Sequence, residues 1–197
     1  MTDPLDRYRR ASDGFARVLA SMRADQLHRP TPCTEWDVRQ LVNHMTRGNL
    51  DYVLLASGGS RAEFLAQRDQ DALGGPVLTA YGKSVRECAA AFGVPGVLDR
   101  VLDYPLGPVT GRQALEVRTV DSVIHTWDLA RALGSPDALD PELVGWIGRE
   151  LPSIYAGLDG MERFFAPPIA PVESDSDQDR LLRLFGRTGH RPVRAEV

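Results

Sequence analysis

Asp121 and His125 stand four residues apart in an otherwise apolar stretch, a carboxylate and an imidazole at the spacing that stacks two side chains one turn apart on a helix face. Two such donors can grip one divalent ion. The same pair can instead hydrogen-bond to each other and offset their desolvation with no ion present. Asp128 continues the stripe, where it would either orient a ligand from behind or answer an arginine from another helix. Arg118 lies just off the stripe, placed to meet a carboxylate of a bound ligand or to form a surface pair. A third donor is available at His44, on the edge of a face made by Val38, Leu41, Met45, Tyr52 and Leu55, with Gly48 one turn below it.

The other reactive side chains read as structural. Cys33 precedes His44 by 11 residues, roughly 16 Å along a helix at 1.5 Å per residue, so it is expected to be a packed thiol apart from the site. Cys88 sits on an apolar helix face and is expected to be buried. His28 and His190 lie in proline-flanked loops and read as solvated, while Trp36, Trp127 and Trp146 read as core anchors.

Helices must position these groups. Apolar residues spaced by three and four predict a first helix over about 5–23 and a second over about 35–56, capped by Thr34 with Asp37 in its first turn. A polar crossover with some helix leads to a third helix over 77–92, and 97–111 reads as an extended connection. The helix over 112–133 is apolar around most of its circumference, through Val117, Val120, Val123, Ile124, Trp127 and Leu129, as a central buried helix should be. The flanking Ala114 and Ala132 would leave space beside its polar stripe. A further helix starts near Pro141 and can bend at Pro152, prolines break 164–177, and a short helix follows over 177–186. The expected class is an all-α bundle with a C-terminal extension from about residue 161, all within one domain over 1–197.

Composition narrows the function. The net charge of −4 arises from 23 basic and 27 acidic residues mixed along the chain, which leaves no concentrated basic patch for nucleic acid or anionic lipid. No apolar run is long enough for a membrane span or a signal peptide, and two cysteines are too few for a disulfide framework. A cytoplasmic protein acting on small molecules is expected, with monomer and homodimer both open.

The stretches TPCTEWDVRQLVNHM (31–45) and RTVDSVIHTWDLARALG (118–134) resemble the two hallmark motifs of actinobacterial proteins similar to mycothiol-dependent maleylpyruvate isomerase, within the DinB-like superfamily. DRLLRLFGRTGHRP (179–192) is similar to the ending of a metal-binding subfamily of that group. The resemblance implies a DinB-like four-helix bundle with additional C-terminal helices, and a divalent metal, zinc first and nickel second, held by His44, Asp121 and His125. It implies mycothiol as a thiol ligand, with Arg118 against its polar body, an electrophilic second substrate, and a thiol transferase or isomerase-like activity. The alternative is a non-catalytic bundle that the ion only staples. The sequence departs from the isomerase at Asp121, where the family has the longer glutamate, and from about residue 161 a short extension is expected in place of the isomerase's further domain.

Overall fold

The computed structural model describes residues 3–158 and 166–188; His190 lies outside them. Its helices are α1 (Pro4–Ala20), α2 (Val38–Ala56), α3 (Arg61–Gln67), α4 (Val77–Phe92), α5 (Gly111–Leu133), α6 (Pro141–Ile154) and α7 (Asp177–Leu184). The strands β1 (Val101–Leu102) and β2 (Val109–Thr110) pair antiparallel, with Val101 opposite Thr110 and Leu102 opposite Val109. The extended connection thus closes into a minimal hairpin. Its turn carries Tyr104, Pro105 and Leu106 to the mouth of a cavity described below.

This is the all-α, DinB-like bundle. Helices α1, α2, α4 and α5 form it, with α1 against α4 and α5, and α2 against the same two. One buried node touches all four: Tyr8 Oη (α1) and Arg118 Nε (α5) donate to Asn49 Oδ1 (α2) at 3.0 and 2.8 Å, and Asn49 Nδ2 donates to Ser84 Oγ (α4) at 3.0 Å. A satisfied polar node in an apolar interior fixes register, since sliding any helix would orphan buried groups. Helix α5 is central as its sequence predicts: sixteen of its residues are buried on every side. Gly111 opens it where a Cβ would sit 2.1 Å from Val97 O, so only glycine lets the chain turn into the bundle there.

Two boundaries differ instructively from expectation. The cap of α2 is Asp37, which accepts from Gln40 N while Gln40 reaches back to Asp37 N, and Thr34 plays no capping part. Residues 30–37 form a tight loop instead of a helix start, closed by a Pro30–Asp37 bridge and by Thr31 Oγ1 bonding to the carbonyls of Cys33 and Trp36. Helix α6 runs through Pro152 and ends two residues later; the missing N–H frees the carbonyl of Gly148, an exposed residue whose oxygen water can serve. No helix among the described residues is long and apolar enough to cross a membrane.

Candidate metal centre

Three donor atoms from two helices converge beside a cavity. His44 Nε2 on α2 lies 3.3 Å from Asp121 Oδ2, and His125 Nε2 lies 3.1 Å from Asp121 Oδ1 on α5. Tetrahedral donors at zinc's usual bond lengths stand roughly 3.3 Å apart, so these separations suit one ion between them. Donor chemistry agrees: two imidazole nitrogens and a carboxylate oxygen are borderline ligands of the kind zinc and nickel accept.

Each donor is held by something else. His125 Nδ1 lies 2.9 Å from Asp128 Oδ2, a fully buried carboxylate. That contact keeps a proton on Nδ1 and turns Nε2 toward Asp121, the arrangement in which a carboxylate behind a histidine makes it a directed ligand. Asp121 Oδ2 accepts from Arg118 Nη1, leaving Oδ1 toward His125. His44 stacks on Trp36, with ring centroids 4.5 Å apart.

Charge settles accordingly. Burial opposes ionising Asp121, yet His125 and His44 hold its carboxyl well below the usual range. Burial likewise opposes charging His125, but Asp121 and Asp128 raise it well above an ordinary histidine. Burial keeps His44 below the ordinary value despite Asp121. With no ion, a buried His125–Asp121 ion pair therefore satisfies both groups; an ion would replace the Nε2 proton.

Arg118 was open between a ligand contact and a surface pair. The structure buries it completely and gives its guanidinium to Asp121, Asn49 Oδ1 and Met45 O. Gly48 makes room: a Cβ there would meet Arg118 Nη1 at 2.8 Å. The space beside the polar groups comes from Gly48, and Arg118 fills much of it. Ala114 is sealed in the core.

Cys33 departs from expectation. Because residues 30–37 double back, its Sγ lies 3.9 Å from His125 Nδ1, 3.2 Å from Asp128 Oδ2 and 2.9 Å from Arg187 Nη2. Cys33, His125 and Asp128 thus form a second group with metal-ligand spacing. A cation already sits in it: Arg187 Nη2 is 2.8 Å from Asp128 Oδ2 and Nε is 3.2 Å from Oδ1. Trp36 is only partly buried, packing against the core cluster around Val38 and Leu41 while lying on the wall beside His44, whereas Trp127 and Trp146 are buried as expected. Cys88 is fully buried, which pushes its thiol up to about 11, and His28 is exposed against Asp37.

The cavity, about 140 Å³, lies against His44, Asp121 and His125, with Trp36, Tyr52, Phe64, Tyr104 and Tyr155 in its walls. Arg187, Trp36 and Asp51 are the side chains that sequence reasoning missed here. The only signal was Asp51's position on the same side of α2 as His44, seven residues after it.

The family model described as mycothiol maleylpyruvate isomerase N-terminal domain matches residues 8–130. Two proteins of Mycobacterium tuberculosis, uncharacterized protein MT0763 (strain CDC 1551 / Oshkosh) and uncharacterized protein Rv0738 (strain ATCC 25618 / H37Rv), are each 38% identical over 141 residues, 72% of this chain and 73% of theirs. No solved structure matches the chain.

Proposed function

The chain belongs to the mycothiol maleylpyruvate isomerase N-terminal domain family, and from that premise we propose that it handles a small-molecule thiol at a divalent ion held by His44, Asp121 and His125. The observation that carries the reading is the contrast around His125: one group of donors faces a cavity, while the other is filled by Arg187. An ion in the first group favours thiolate over thiol and leaves a position for it.

The rest is the work of the protein's own residues. Asp128 holds the Nδ1 proton of His125, and Arg118 holds one oxygen of Asp121, so both ligands are aimed before anything binds. Trp36 covers His44, and Tyr52, Phe64 and Tyr104 make an apolar wall that keeps water from competing for the sulfur. The thiol sulfur would form a bond to an electrophilic carbon of a second substrate. In transfer, a leaving group departs with its electron pair; in isomerisation, the displaced π pair returns and expels the thiol. Zinc is the favoured ion, with nickel second.

The rival reading, an ion that only staples α2 to α5, draws on the His125–Asp121 pair, which is satisfied without chemistry. Titrating the cobalt-substituted protein with mycothiol separates the two. The thiol reading expects sulfur-to-cobalt charge-transfer absorption that saturates; a bound cobalt whose spectrum ignores saturating mycothiol supports the staple.

A further inference from the structure

Asp51 is the one acidic side chain of the cavity that is buried and that the thiol reading leaves unused. It lies seven residues after His44 on α2, roughly 10 Å further along the helix at 1.5 Å per residue, and is 1% exposed. Its Oδ1 accepts no hydrogen bond. Arg47 Nη1, on the next turn back, stands 3.9 Å away, an ion-pair separation too long for a hydrogen bond. A buried carboxylate oxygen with no donor forfeits its hydration without replacement, so such atoms are rare unless something else supplies the donor.

The surroundings say what kind of donor fits. Arg47 from its own helix stands 3.9 Å from Asp51, Arg118 from α5 and Arg68 at the end of α3 line the same cavity, and Asp69 adds an opposing charge. Three guanidinium groups make an ammonium donor unfavourable, and Asp51 itself repels a ligand carboxylate. Tyr52, Phe64 and Tyr104 beside it offer ring surface. A neutral donor on a body with both polar edges and apolar faces suits such a wall. Burial outweighs the arginines and pushes the Asp51 carboxyl up to about 7.

We propose that Asp51 is a recognition residue that accepts a hydrogen bond from a hydroxyl on the body of a ligand whose thiol end lies at His44, Asp121 and His125. The proposal rests on the thiol reading and narrows it to thiols carried on a hydroxyl-rich body without a carboxylate near this point. It also explains a buried, unsatisfied carboxylate as a cost to the empty fold that ligand binding removes.

The test titrates zinc-loaded protein calorimetrically with mycothiol and with N-acetylcysteinamide, which has the thiol without the hydroxylated body. Asp51→Leu should weaken mycothiol about tenfold, the loss of one buried hydrogen bond, and leave the fragment unchanged. Asp51→Asn keeps the shape and an acceptor oxygen, should lose less, and keeps the test alive if the leucine variant fails to fold. Melting of the ligand-free protein gives an independent readout. A carboxyl raised in the folded state contributes stability below its unfolded value of 3.8 that is lost as pH rises toward about 7. Asp51→Asn should therefore melt several degrees above wild type at pH 8, with the gap closing below pH 4; a residue that holds the fold together would show the opposite. Equal loss of both thiols, unchanged mycothiol affinity, or a lower melting temperature at pH 8 overturns the assignment of Asp51 alone. Failure of wild type to bind either thiol overturns the thiol reading, and this proposal with it.

Discussion

His125 divides two regions that hold the same kinds of atom and treat them differently. On its Nδ1 side, Cys33 and Asp128 are drawn around the guanidinium of Arg187, so sulfur, carboxylate and imidazole are all answered from within the protein. On its Nε2 side, Asp121 has an arginine too, but Arg118 comes from beneath and takes only Oδ2, leaving Oδ1, His44 and His125 on the cavity. The difference teaches that donor spacing does not by itself make a site. A cluster already neutralised by a resident cation is a support, and the one left facing open space is where a foreign cation gains most. Cations repel, so the filled side also discourages a second ion across the same imidazole.

The largest expected effect removes the open side. His44→Ala should lower metal affinity at least a hundredfold, read by elemental analysis after dialysis against a weak chelator, whereas Cys33→Ala should retain metal. Loss of metal in both variants would erase the contrast between the two sides.

Breaking the filled side should cost stability first. Arg187→Leu leaves Asp128 buried without its guanidinium partner, and removing one member of a buried pair typically costs about 3–5 kcal/mol. Its metal affinity should fall roughly 10–100-fold, since Asp128 then holds His125 less firmly. Chemical denaturation and metal titration of the one variant measure both. A variant as stable as wild type would mean that the C-terminal segment carrying Arg187 supports nothing.

A smaller effect sharpens the role of Arg118. Gly48→Ala pushes a methyl into its guanidinium, and overpacking of this kind costs about 1–3 kcal/mol. If Arg118 aims Asp121, metal affinity should fall along with stability; a stability loss with unchanged affinity would reduce Arg118 to a packing residue.

How much of this was legible depended on distance along the chain. The bundle was legible because helical periodicity is local: a helix over about 77–92 was read where Val77–Phe92 stands, and the apolar circumference of α5 announced a buried helix. Asp121 and His125 were legible as neighbours because i and i+4 share a face on any helix. Residues 30–37 were not, since a proline-rich loop carries no period to say that it folds back and delivers Cys33 and Trp36 to His125 and His44. Arg187 meets Asp128 across 59 residues, a contact that only the packing of α7 and its following turn creates. The gap at Gly48 was visible as a missing side chain, while its occupant, one among many arginines, was not.

The contrast between the two sides of His125 is tested most directly by the absorption spectrum of the cobalt-substituted protein before any thiol is added. With the ion among His44, Asp121 and His125, no sulfur is bound, so the spectrum should show ligand-field bands without sulfur-to-cobalt charge transfer and should be the same in Cys33→Ser. A charge-transfer band in the thiol-free protein that disappears in Cys33→Ser would place the ion on the Arg187 side and contradict the account.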